Sequence, residues 1–169
     1  MIDTLAIFPG TFDPVHFGHI NIAVRAAKIF DRLIVAVYET PSKNVLFSTE
    51  ERVEMFQQAL ADYKAIQVVS YRGLTINFAK EVGAHVMVRG LRVFSDFDYE
   101  FRMALTNQEL NPNIETVSLI TNHQHTFISS TTVKEVAALD GDVSMMIPDF
   151  VVERLKKKLI LKSNTLNPM

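Results

Sequence analysis

The residues best suited to chemistry stand in one run near the start of the chain, Phe8-Pro-Gly-Thr-Phe-Asp-Pro-Val-His-Phe-Gly-His19. It holds a hydroxyl, Thr11, and two imidazoles, His16 and His19, among Pro9, Gly10, Pro14 and Gly18, which break regular structure. Ahead of it, Leu5-Ala6-Ile7-Phe8 reads as a buried strand. Behind it, Ile20, Ala23, Val24, Ala27 and Phe30 recur at helical spacing, predicting a helix over 20–30. A glycine turn from strand into helix leaves backbone N–H groups at the positive end of the helix dipole, where a phosphate is favoured. Two solvated imidazoles on a tight turn are the bland alternative.

Other polar residues fall after later apolar runs. Lys43 lies in the polar loop 39–45, behind the β-branched run Leu33 to Tyr38. Leu74 and Thr75 follow a third run, Ile66 to Val69. Arg89-Gly90-Leu91-Arg92 directly follows Val86-Met87-Val88, and arginine's planar fork suits phosphate well. Its structural alternative is an ion pair with Asp96 or Asp98. Ser129-Ser130-Thr131-Thr132 is first a helix cap, one that also presents hydroxyls and N–H groups.

These runs imply the elements that position the residues. Ser48 with Glu51 makes a capping box opening a helix with Val53, Phe56 and Leu60 on one face. Thr75 is expected to cap a helix to Val82 that Gly83 closes, and Asp96 to Leu110 reads as another, ended by Asn111-Pro112. Thr116 to Ile120 is a fifth strand. One helix follows Ser129 and a last one follows Pro148. Regular strand–helix alternation predicts a single-domain, doubly wound (Rossmann-like) α/β fold. It would have a five-stranded parallel sheet, helices on both faces and a C-terminal helix. Residues 1–162 form the expected domain and 163–169 a polar, disordered tail. Ligands of such sheets bind outside the carboxyl ends of the strands, where all the residues singled out above would converge.

Composition narrows the class. The chain has 169 residues, 48% hydrophobic and 21% charged, with a formal charge of −2, which suggests no nucleic-acid surface. It has no cysteine, so disulfides, thiolate nucleophiles and Cys-ligated zinc are excluded. No run approaches membrane-spanning length, no signal peptide is visible, and a cytoplasmic location is expected. No His/carboxylate cluster with trusted metal spacing occurs, and neither a Gly-x-Gly-x-x-Gly nor a P-loop motif is present.

Gly10-Thr-Phe-Asp-Pro14 followed by His16-Phe-Gly-His19 resembles the signature of the nucleotidyltransferases related to class I aminoacyl-tRNA synthetases. Further segments run in the order of one branch: Pro41-Ser-Lys43, Thr49-Glu-Glu-Arg52, Val88-Arg-Gly-Leu-Arg92, Asp96-Phe-Asp-Tyr-Glu100, Phe127-Ile-Ser-Ser130 and Val133-Lys-Glu-Val136. Spread over nearly the whole chain, they resemble the bacterial phosphopantetheine adenylyltransferases. The resemblance implies transfer of the adenylyl group of ATP to 4′-phosphopantetheine, giving dephospho-coenzyme A and pyrophosphate. Mg²⁺ would be held mainly by the ATP phosphates, coenzyme A would act as a feedback ligand, and the assembly would be a homohexamer.

It also implies roles. Thr11 and His19 would contact the reacting phosphates, with Lys43 and Arg92 completing the catalytic set. Lys43 and Arg89 would hold the acceptor phosphate, and Thr11, Leu74 and Thr75 would line the acceptor side. Phe12, Gly90, Leu91, Arg92, Glu100, His125, Thr126, Phe127, Ile128, Ser129, Ser130 and Thr131 would bind ATP. His16 departs from the Thr usual there, and His125 from a common aromatic. A nicotinamide-nucleotide or glycerol-phosphate nucleotidyltransferase, and a non-catalytic nucleotide sensor, are the other readings.

Overall fold

Five parallel strands carry the fold: β1 (Leu5–Gly10), β2 (Arg32–Tyr38), β3 (Ile66–Tyr71), β4 (Val86–Leu91) and β5 (Glu115–Ile120), in the sheet order β3-β2-β1-β4-β5. The structure, a computed structural model, describes residues 4–41 and 44–166. Between the strands run α1 (Phe17–Ala26), α2 (Thr49–Ala59), α3 (Thr75–Glu81) and α4 (Phe94–Leu110). A 3₁₀ turn (His123–His125), α5 (Ser130–Ala138) and α6 (Asp149–Leu166) follow β5. The doubly wound fold expected from the alternation is therefore the one observed.

β1 and β2 are apolar along almost their whole length because helices cover both faces. Ala6 and Phe8 point into the larger core with Ile22 and Ala23 of α1, Phe56 of α2, Val133 of α5 and Leu155 of α6. Leu5 and Ile7, one step out of phase, point into the smaller core with Ile76 and Ala79 of α3 and Met87 of β4.

The central strands do not stay paired. β1 and β2 are in register from Leu5↔Arg32 to Gly10↔Val37, but β1 and β4 pair only at Ala6↔Val86 and Ile7↔Met87. Beyond that the two strands diverge. The chain leaves β1 toward β2 and returns in β4 on the other side, so this divergence is the topological switch point of the sheet.

Three local expectations shift. The first helix starts at Phe17, not Ile20, because Gly18 is a packing residue here and not a break. A Cβ on it would stand 3.0 Å from Cε1 and Nδ1 of the His16 ring. Thr75 is the first residue of α3 and does not cap it. Leu74 occupies the cap with no side-chain bond, and the Thr75 hydroxyl instead pairs with Tyr71 Oη at 2.7 Å. The backbone of α6 continues through Leu166, into the segment expected to be a tail; Pro168 is the first strong breaker in the sequence. By contrast, Ser48 and Glu51 form the expected capping box, Glu51 Oε2 accepting from Ser48 N at 2.7 Å. Gly83 ends α3 with φ +72, a conformation that favours glycine.

Candidate active site

A cleft of about 550 Å³ opens where β1 and β4 part. Its volume is that of a site for a small ligand. Thr11, Phe12, His19, Thr75, Arg89, Gly90, Arg92, Glu100, Ser129, Ser130 and Thr131 all line it, so residues from four separate stretches of the chain meet as expected. Lys43 lies outside the described residues.

The His-Phe-Gly-His run is a helix start built from its own imidazoles. His16 is the N-cap of α1, and its Nδ1 accepts from His19 N at 3.3 Å. His19 Nδ1 accepts from His16 N at 3.3 Å, completing a capping box in which both side chains are histidines. The rings stack with centroids 3.5 Å apart, and the Phe12 ring stands edge-on to His19 at 4.9 Å. His16 is 3% exposed. Burial, helped by the charges of Arg92 and His125, lowers its pKa to about 3, so the ring stays neutral.

Phe12 is a core residue more than a wall of the cleft. It is buried against Phe8 and Phe56, and its backbone lies in the left-handed region at φ 52. Its ring lies over Gly10, where a Cβ would come within 2.6 Å of Phe12 Cζ. The glycine of the Pro-Gly turn is thus needed for close approach.

Both arginines are paired. Arg89 makes a bidentate bond to Glu100 of α4, with Nε and Nη2 each 2.7 Å from a carboxylate oxygen. Its Nη1 donates to Pro9 O at 2.9 Å, bridging β1 and β4 where their own ladder has ended. Burial opposes the charge of Arg89, but the bonds and charge of Glu100 outweigh it and raise the pKa. Arg92 binds Asp96 through Nε at 3.1 Å and the carbonyl of Ile128 through Nη1 at 3.0 Å. The sequence alternative of an Arg–Asp96 pair is therefore present for Arg92, while Arg89 takes Glu100. Each guanidinium still lines the cleft, held in place by α4.

After β5, Ser129 caps α5 by accepting from Thr132 N at 3.0 Å, and Ser130 Oγ donates to Pro14 O at 2.9 Å. This ties the start of α5 to the loop after β1. Ile128 is fully buried, whereas Leu74 and Phe127 are exposed and stand outside the cleft lining. His125 and Thr126 sit at the 3₁₀ turn beside it, with the His125 ring 6.2 Å from Phe17. His125 Nδ1 is buried and has no hydrogen-bond partner. Leu91 is tied into the sheet, its carbonyl accepting from Thr121 N at 2.8 Å.

Several contributors escaped the sequence reading. Tyr38, Tyr71, Tyr99, Met103, Asn107 and Thr116 also line the cleft. Burial raises the pKa of Tyr71 against the opposing bond from Thr75. Asp13 and Arg52 act from beneath. Asp13, 2% exposed, accepts from Leu46 N and Phe47 N, each at 2.9 Å, and from Lys134 Nζ. Arg52, fully buried, donates to the carbonyls of Thr11 and Tyr38 at 2.8 Å each. Burial pulls its pKa down, against the charges of Asp13, Glu50 and Glu39. The signal for Arg52 was present: an arginine three and four residues before Met55 and Phe56, on the same face of the helix that the capping box opens.

Among the described residues no cluster of three His, Asp or Glu side chains is arranged to hold a metal. None of the described helices is long and apolar enough to cross a membrane.

Residues 7–136 match the cytidylyltransferase-like family. The phosphopantetheine adenylyltransferase of Roseiflexus sp. (strain RS-1) is 47% identical over 154 residues, covering 91% of this chain and 96% of the relative. That of Alkaliphilus metalliredigens (strain QYMF) is 47% identical over 91% of this chain and 98% of its own. The Clostridium botulinum (strain Langeland) enzyme of the same name is also 47% identical, with 94% of it covered. A phosphate-suited cleft at the switch point and relatives matched nearly end to end agree: the chain belongs to the cytidylyltransferase-like nucleotidyltransferases and, among them, to the phosphopantetheine adenylyltransferases.

Proposed function

We infer that this protein transfers the adenylyl group of ATP to 4′-phosphopantetheine, releasing pyrophosphate and giving dephospho-coenzyme A in coenzyme A synthesis. The observation that carries the reading is the meeting of Thr11, His19, Arg89, Arg92 and the capped start of α5 in one cleft at the parted ends of β1 and β4.

The nucleophile is a phosphomonoester, whose second pKa near ~6 leaves it largely dianionic at neutral pH. It therefore needs no general base and no covalent intermediate. The barrier lies in bringing two polyanions into line and in the charge that grows on the α-phosphate and the bridging oxygen. His19, Arg92, Lys43 and the N–H groups at the starts of α1 and α5 oppose that charge. Thr11 orients the reacting phosphates, while Arg89 and Lys43 hold the acceptor phosphate. Thr75 and Leu74 flank the acceptor side. Phe12 through its backbone, Gly90, Leu91, Glu100 and the segment His125, Thr126, Phe127, Ile128, Ser129, Ser130 and Thr131 accommodate ATP. Orientation alone can supply up to roughly 7–11 kcal/mol of the barrier.

The cleft's donors are hydroxyls, an imidazole and guanidiniums, with Asp96 and Glu100 engaged by arginines. That set fits a Mg²⁺ carried on the triphosphate, where it would neutralise charge between the phosphates, better than one caged by carboxylates. Coenzyme A, which shares the product's framework, would compete for the same cleft. The absence of cysteine is in keeping with a cytoplasmic enzyme. We also assign a homo-oligomer, a hexamer, to the working enzyme. Phe94, Phe97, Phe101, Leu105 and Leu110 are exposed on α4, where the described residues supply only Asn107 to the interior. Copies packed on α4 would also steady Asp96 and Glu100.

The test is pyrophosphate release from ATP with 4′-phosphopantetheine, run beside nicotinamide mononucleotide and glycerol 3-phosphate. Turnover with 4′-phosphopantetheine is expected. Preference for either other acceptor, or ATP binding without pyrophosphate release, would overturn the reading.

A further inference from the structure

We propose that His16 is a positioning residue that presents His19 to the phosphates as a single tautomer, with its proton on Nε2. The proposal deepens the reading of His19 given above and rests on it. A backbone amide can only donate. Since His16 N donates to His19 Nδ1 at 3.3 Å, that nitrogen must hold its lone pair, and the proton of the neutral ring sits on Nε2. The same logic fixes His16, whose Nδ1 accepts from His19 N.

A Ser or Thr at position 16 would satisfy the His19 amide equally well, as such residues do at most helix starts. It would not supply a ring. Here the His19 imidazole lies face to face with His16 at 3.5 Å and meets the edge of Phe12 at 4.9 Å, so two sides of the ring are packed. Gly18 leaves the space in which the His16 ring lies, since any Cβ there would crowd Cε1 and Nδ1 at 3.0 Å. His16 reaches the floor of the cleft but is only 3% exposed, and its Nδ1 is already taken by the His19 amide, so its imidazole is placed to support His19. His19 then meets the developing charge as a preorganised neutral N–H donor that need not reorient during the reaction. A neutral imidazole at a helix start is a known electrophile, as in triosephosphate isomerase.

The experiment is ¹⁵N NMR of the imidazole nitrogens in the whole enzyme without substrate, assigned with His19→Gln, alongside steady-state kinetics. Wild type should show His19 protonated on Nε2 alone. His16→Ala keeps its own N–H but loses the acceptor for His19 N and the stacked ring, so the turn that brings that N–H to His19 Nδ1 should loosen. That should average the tautomers and lower kcat by about tenfold or more, with KM for ATP changed by less than about threefold. His16→Thr, which restores the acceptor for His19 N but not the stacked ring, should recover the single tautomer and only part of kcat. A proton on His19 Nδ1 in wild type would overturn the proposal. So would His16→Ala averaging the tautomers with kcat held within about twofold, or losing kcat with the tautomer intact. Should His16→Ala fail to fold, wild type and His16→Thr still decide: an averaged tautomer in either overturns it. Unchanged kcat in His19→Ala would remove the role of His19 and leave the tautomer result standing, so the two failures are distinguishable.

Discussion

Replacing His16 by Thr should make the protein more resistant to acid relative to wild type, by an amount fixed by the burial of one ring. In the unfolded chain the imidazole takes up a proton near pH 6.5, whereas in the fold burial holds its pKa down at about 3. The folded value is depressed. The penalty is therefore absent well above pH 6.5, grows as pH falls toward 3 because only the unfolded chain binds the proton, and levels off below that. Each pH unit inside the window costs about 1.4 kcal/mol, so moving from pH 7.5 to pH 5 removes about 2 kcal/mol from wild type. Threonine does not titrate and keeps the cap. Loss of ring packing shifts the variant by a constant, and all other titrating groups are common to the two proteins. Urea unfolding at pH 7.5, 6 and 5 would measure the stability difference between them. It should move by about 2 kcal/mol in favour of His16→Thr at the lowest pH. Two parallel pH profiles would mean that His16 is not held neutral, and the reciprocal cap would fall with it.

Four further outcomes follow from the geometry. His19→Ala should lower kcat by about 10²–10³ while leaving ATP affinity within a few-fold, measured by pyrophosphate release and by equilibrium binding. Glu100→Gln should destabilise by about 1–3 kcal/mol in urea, because it removes the carboxylate from a bidentate pair with the part-buried Arg89 guanidinium. Arg52→Met should cost about 3 kcal/mol or more by the same measurement, since the carbonyls of Thr11 and Tyr38 lose their donor inside the protein. Gly10→Ala should lower stability by about 1–3 kcal/mol, because its methyl would press on the Phe12 ring at 2.6 Å, and the displaced ring should appear in the aromatic NMR signals of Phe12 and His19.

Much of this molecule was legible before any coordinate. The strands could be read because buried parallel strands are continuous apolar runs, and the Ser48–Glu51 cap because both partners are local in sequence. Convergence of the Thr11, Arg89 and Ser129 stretches followed from topology, since a doubly wound sheet puts every strand's carboxyl end on one edge. Local pattern starts the first helix three residues late, because Gly18 has the look of a breaker in sequence and is a packing residue under the His16 ring in the fold.

Spacing could not tell which carboxylate each arginine would take. Asp96 and Glu100 lie on the same helix, one turn apart, and their partners were chosen by how α4 docks over the parted ends of β1 and β4. Arg52 lies 41 residues from the Thr11 carbonyl it holds, and Asp13 lies 34 from the Phe47 amide, separations that leave no trace in a local pattern. The sequence by itself determined where the chain turns from strand to helix, and hence where phosphate-binding groups gather, because those signals span a few residues. Tertiary structure alone decided which of those groups face one another, because a pairing between distant segments exists only once the sheet has brought them together.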